Sequence, residues 1–203
     1  MIVCEKNIRT RLWRAAIGLS ACALISTGCH FSLKQDPRSL ADRLSKNSVQ
    51  INVPYVPQGK PYLCGVASAK MISKFYGLDL TEAQWGVLSN EAKAADGVSG
   101  ASLKFQFEAA GYFAAVFQGA LEGEGAGILH QIDLGRPVMV MLGDTKRHFC
   151  IVAGYDRANE SIILMDPDRG EVMIAQKSFM DRWNAANRFS LLVVPKQADG
   201  AKP

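Results

Sequence analysis

The chain has 203 residues, 48% apolar and 21% charged, the balance of one globular domain built around one core. Its formal charge of +4 is concentrated at the start: Lys6, Arg9, Arg11 and Arg14 stand against Glu5 alone, leaving 19 of 23 basic and 18 of 19 acidic residues for the rest. A body this close to neutral excludes an extended nucleic-acid surface.

The four cations precede AAIGLSACALIST (15–27), an apolar run too short to span a bilayer comfortably as a helix. Basic, apolar and small-residue regions in that order describe an export signal over residues 1–28. Gly28 before Cys29 resembles the lipobox of bacterial lipoproteins, with Ser26 in place of the usual leucine. That resemblance implies a lipid on Cys29 and membrane attachment through it. His30 is not aspartate, which by the same resemblance implies the periplasmic face of the outer membrane. Residues 29–48 are polar and read as a tether. The domain is expected over 49–196, followed by a polar tail, 197–203.

Within the domain, Val66, Ala67, Met71, Ile72 and Phe75 keep a helical spacing that Gly77 closes. Thr81 is placed to cap a second helix, and GASLKFQFEAAG (100–111) predicts a third. Afterwards the period changes. YFAAVF, PVMVML, HFCIVAGY, SIILMD, EVMIA and FSLLVVP predict strands, with short helices around 128–134 and 177–183. Helices first and strands afterwards indicate an α+β fold, a helical layer on an antiparallel sheet. Phe105, Phe107, Tyr112, Phe113 and Phe117 are expected in the core or along a groove wall. GALEGEGAG (119–127) reads as a mobile acidic loop that could border a groove, and DPDRG (166–170) as a hairpin turn with too few oxygen ligands for calcium.

Cleavage at Cys29 would remove Cys4 and Cys22, leaving Cys64 and Cys150 in an oxidising compartment without a framework of paired cysteines. Cys64 stands where a helix begins, so free N–H groups favour its thiolate. Gly65 lets backbone and substrate approach the sulfur. A nucleophilic cysteine needs a base, and the base needs an orienting group. His148 opens one strand and Asp166 closes the next, so a hairpin around DRANE brings them near each other. Cys150, two residues past His148 on the same strand, is expected to pack nearby as a small hydrophobe. His130 has no such neighbours and reads as an ordinary helix histidine. Gln58, six residues ahead of Cys64, is either a turn residue or a donor to a developing oxyanion.

VPYVPQ, Cys64-Gly65, KMISKFYG, HFCIVAGYD and ILMDP together resemble the double-glycine (bacteriocin-processing) peptidases and their stand-alone papain-like relatives. The resemblance runs from about residue 53 to 195. It implies a papain-like fold and thiol catalysis with no metal or other cofactor. In it Cys64, His148 and Asp166 form the triad and Gln58 the oxyanion donor. The substrate class it implies is a peptide or protein, possibly cut after Gly-Gly, and the partners are secretion or envelope-assembly machinery. Two other readings stay open: a peptide-binding or envelope-assembly module of the same shape, and an acyl-transfer cysteine enzyme acting on peptidoglycan. Peptidoglycan endopeptidases of the NlpC type usually carry Asp-Cys-Ser, where this chain has Leu63-Cys64-Gly65.

Overall fold

The computed structural model describes residues 39–77, 79–143 and 146–196. The expected export signal, Cys29, the first half of the expected tether and the tail lie outside them. No helix among the described residues is long and apolar enough to cross a membrane.

Helix α1 (Leu40–Arg43) and strand β1 (Val49–Gln50) come first, followed by an extended run and a 3-10 turn, Pro61–Leu63. Three helices then follow: α2 (Cys64–Tyr76), α3 (Glu82–Ala95) and α4 (Gly100–Ala109). The back half carries β2 (Tyr112–Gln118), α5 (Ile128–Asp133), β3 (Val138–Leu142), β4 (His148–Asp156), β5 (Ser161–Asp166), β6 (Gly170–Ala175), α6 (Gln176–Ala185) and β7 (Phe189–Pro195). The six longer strands form one antiparallel sheet in the order β2-β7-β3-β4-β5-β6, with β1 added beside the end of β4. This is the α+β arrangement that the change of period predicts.

Local chemistry explains the helix ends. Gly77 adopts φ 66 and its N–H bonds back to the carbonyls of Lys74 and Ser73, a turn that favours glycine. Thr81 and Gln84 cap α3 reciprocally, each satisfying a backbone N–H of the other. Buried Met71 and Ile72 of α2 belong to the common core, and Ser68 Oγ donates to the Phe149 carbonyl of β4 at 3.4 Å. Strands β4 and β5 are buried along nearly their whole length. Both faces are therefore covered, which is why HFCIVAGY and SIILMD read as continuous apolar runs without alternation.

Three local expectations need amending. Phe105 and Phe113 are 65% and 51% exposed, so neither is core, while Phe107 and Tyr112 are buried edge-to-face. No residue of the acidic loop lines the cleft beside Cys64, and its Glu122 takes Arg157 at 2.6 Å instead. Gly65 is buried, and a Cβ there would meet Val98 Cγ1 at 2.4 Å and Phe149 Cδ2 at 2.9 Å. Its missing side chain lets α2 seat against the sheet.

The last ten residues of the stretch expected as a tether are held to the domain. Asp156, fully buried at the end of β4, accepts from Ser45 N–H at 2.6 Å and Ser45 Oγ at 2.7 Å, and also from Ala158 and Asn159 of its own turn. Asn159 Nδ2 in turn donates to the Arg43 carbonyl. Burial raises the Asp156 carboxyl, but these donors outweigh it and hold the group below its ordinary 3.8. Their stabilisation is present above that value and fades as pH falls through the lower, folded-state one. Ser45→Ala should therefore cost about 1–3 kcal/mol at pH 7, the scale of a hydrogen bond to a buried charge. Thermal melts should show the deficit shrinking on acidification, and a chain begun at Val49 should melt lower than one begun at Ser39.

Candidate active site

The 3-10 turn delivers Cys64 as the first residue of α2, 6% exposed, on the side of the helix that faces the start of β4. Burial raises its thiol. Hydrogen bonds from His148 and from the backbone N–H groups of Phe149 and Gly65 outweigh that, and the thiol lies below its ordinary value of 9.0. Two of these partners come from β4 and one from the helix itself, so the packing of α2 on the sheet creates the stabilisation.

His148 is the first residue of β4. Its Nε2 lies 2.9 Å from Asp166 Oδ1, the last residue of β5. The hairpin register pairs Ile151 with Met165, so the two side chains meet at one end of the sheet. Burial lowers the His148 imidazole, yet hydrogen bonds with Asp166 and Cys64 push it up to about 9. Asp166 is 3% exposed at its side chain and has four donors. Oδ1 takes His148 and the Asp168 N–H at 2.9 Å; Oδ2 takes Arg169 Nε at 3.0 Å and Nη2 at 2.8 Å. Burial alone would raise this carboxyl, but the donors hold it well below the usual carboxylate range. A lowered thiol beside a raised imidazole and a fixed carboxylate favours movement of the thiol proton to the ring.

Cys150 is buried and its thiol is pushed far up, chiefly by burial. It is a free cysteine packed as a small hydrophobe. His130 sits in α5 and is not among the partners of Cys64, His148 or Asp166. Gln58 does not line the Cys64 cleft; it lines a smaller pocket of about 180 Å³ that shares Pro61 with it. Gln58 Nε2 donates to Asp168 Oδ1 at 3.3 Å.

Beside Cys64 opens a cleft of about 870 Å³, walled by Val98, Phe117, Met141, Phe149 and Phe189, with Glu91, Asp96, Lys146 and Arg147 among its charged lining residues. Its size and mixed walls suit an extended peptide. Among the described residues no cluster of histidine, cysteine and carboxylate side chains has the arrangement to hold a metal ion.

The Peptidase C39 like family model matches residues 50–191, most of the chain and nearly all of the described fold. The chain belongs to that family. It is a cysteine peptidase of papain-like α+β fold. Solved structures of similar fold include a double-glycine-motif protease from an AMS/PCAT transporter, in complex with a leader peptide. It is 19% identical with TM-score 0.58, over 75% of this chain and 97% of that one. The peptidase domain of Streptococcus ComA, a bifunctional ABC transporter of a quorum-sensing pathway, is 20% identical with TM-score 0.55, over 70% and 97%. A C39-like peptidase from Bacillus anthracis is 18% identical with TM-score 0.54, over 75% and 100%. No curated protein sequence matches the chain.

Three participants of this peptidase's site escape a reading of sequence alone. Asp168 and Arg169 look like plain turn residues, and the Phe149 N–H carries no side-chain signal. The presence of two charges directly after Asp166-Pro167 was the available hint.

The perturbed groups give a direct check. His148 should titrate near 9 by NMR, and Asp166→Asn should bring its midpoint down toward 6.5, because the main support of the charged ring is gone. The raised His148 value adds stability below 6.5 that is lost as pH rises through about 9. Iodoacetamide at mildly acidic pH should label Cys64 in the folded protein and spare Cys150, read by peptide mass spectrometry. Equal labelling of the two cysteines would contradict the assignment of the low thiol to Cys64.

Proposed function

We propose that this chain is an exported, lipid-anchored peptidase that cuts a peptide bond in an envelope or secreted protein. Cys64 Sγ attacks the scissile carbonyl, and the imidazolium of His148 passes its proton to the leaving amine. Asp166 keeps the ring oriented and stabilises its charge. Gln58 and the backbone N–H of Cys64 donate to the oxyanion of the tetrahedral intermediate. His148 then accepts a proton from water, which attacks the thioester and releases the acyl product.

The observation that carries this reading is the His148–Asp166 pair at 2.9 Å set beside Cys64, whose thiol it helps to lower, at the edge of a peptide-sized cleft. Support for cleavage after Gly-Gly comes from the double-glycine-motif protease of similar fold, which holds a leader peptide. Export and anchoring rest on the basic start, the short apolar run and Gly28-Cys29. The partner in this reading is a peptide or protein substrate, within reach of secretion or envelope-assembly machinery.

Incubation with a library of peptides derived from the envelope proteome tests the chemistry. Wild type should produce new termini that Cys64→Ala does not, with Gly-Gly enriched before the cut. Absence of any Cys64-dependent cut would remove the peptidase reading of this site. Gln58→Ala should lower turnover by roughly 10²–10³, the scale of one lost oxyanion donor, while Cys64 alkylation stays fast. For the anchor, globomycin should cause an uncleaved, lipidated precursor to accumulate, and Cys29→Ser should abolish acylation. A soluble product released normally under both conditions would refute it.

A further inference from the structure

The turn between β5 and β6, Asp166-Pro167-Asp168-Arg169, touches two parts of the site at once. On one side its Asp166 carboxylate receives His148. On the other it is fastened to the segment that precedes Cys64. The Pro167 carbonyl accepts from the Gln58 N–H at 2.9 Å and from the Tyr55 hydroxyl at 3.4 Å, while Asp168 Oδ1 accepts from Gln58 Nε2 at 3.3 Å. Gln58 Oε1 is buried and has no partner among the described residues.

A carboxamide end is nearly symmetric in shape, but its two halves act oppositely on an oxyanion. The NH₂ attracts it and the C=O repels it. Rotation by half a turn would exchange them, and nothing bonds Oε1 to prevent that rotation. The backbone bond to Pro167 fixes where the Gln58 side chain starts, not which end leads. Asp168 supplies the missing constraint. An ionised carboxylate only accepts, so it takes one N–H and rejects the carbonyl oxygen, leaving the second N–H to donate elsewhere.

We infer that Asp168 is a positioning residue: it holds the Gln58 carboxamide nitrogen-first, so that the remaining N–H is ready for the oxyanion of the acyl-transfer step. This rests on the reading of Gln58 as oxyanion donor. The turn therefore sets the orientation of both the imidazole and the amide, and a shift of Pro167 disturbs both together.

Asp168 is exposed and its own N–H bond to Asp166 does not involve its side chain, so Asp168→Ala should fold normally. The assay uses the peptide cut fastest in the envelope library. Asp168→Ala should lower kcat about tenfold with KM unchanged, and leave both Cys64 alkylation and the His148 titration as in wild type. Asp168→Asn brings an NH₂ that can also pair with the Gln58 carbonyl, so it no longer rejects the wrong end and should keep most of the loss. On a Gln58→Ala background, Asp168→Ala should cost nothing more, because the group it orients is gone. The Gln58 side-chain amide resonances, assigned by their absence in Gln58→Ala, should move in Asp168→Ala. Wild-type kcat in Asp168→Ala, or the same tenfold loss on both backgrounds, overturns the inference while Gln58 keeps its role. Wild-type turnover in Gln58→Ala removes the oxyanion reading, and the inference falls with it.

Discussion

A buried carboxylate with four donors is the constraint on which the rest of this site depends. Asp166 has almost no contact with water, and an ionised group there is stable only if fixed donors replace its hydration. The fold supplies them from three sources: the turn backbone through Asp168, a neighbouring cation through Arg169, and His148 from the adjacent strand. The first two come from residues two and three positions further on, so the turn forms most of the cage by itself. The imidazole completes it. Its raised affinity for a proton is the other half of the same bargain, since Asp166 stays charged best when its partner is charged too.

Strand pairing and helix seating then bring the thiol to that imidazole. The β4–β5 register sets where His148 stands, and a bulge between Val152 and Gly154 lets Ala153 turn its carbonyl to Ile51 N–H at 2.7 Å. Gly65 allows α2 to lie against Val98 and Phe149, closer than any side chain would permit. The thiolate stabilisation is therefore a product of packing. A helix start displaced outward would lose the Phe149 N–H and the imidazole together, and burial would then dominate the thiol as it does at Cys150.

Much of this was legible in the chain. Apolar periodicity gave the helices and strands, because a 3.6 or a 2 repeat is the direct imprint of a buried face. His148 and Asp166 were readable as neighbours because a hairpin is a local object, in which one short turn decides which residues meet; Cys64 joined them only through a nucleophile's need for a base and the family resemblance. Contacts between distant segments were not readable. Nothing near Gln58 announces Asp168, 110 residues away, and nothing near Ser45 announces Asp156. Both are polar contacts, and hydrogen-bonding side chains carry no period. The exposure of Phe105 and Phe113 escaped for a related reason. Spacing shows which residues share a face, but only tertiary packing shows whether that face is covered.

The clamp of Ser45 on Asp156 has a mechanical consequence. Asp156 and His148 are opposite ends of β4, nine residues long, or about 27 Å apart along the strand. From β1 the chain runs back beside the sheet until Gln58 meets Pro167. Tension applied upstream of Ser39 is therefore borne first at the far end of the enzyme, by the Asp156 clamp and the β1–β4 pair. Those contacts must yield before load travels along the extended run to Gln58. A substrate or a support tugging on the amino-terminal arm would leave the geometry around Cys64 undisturbed until the clamp failed.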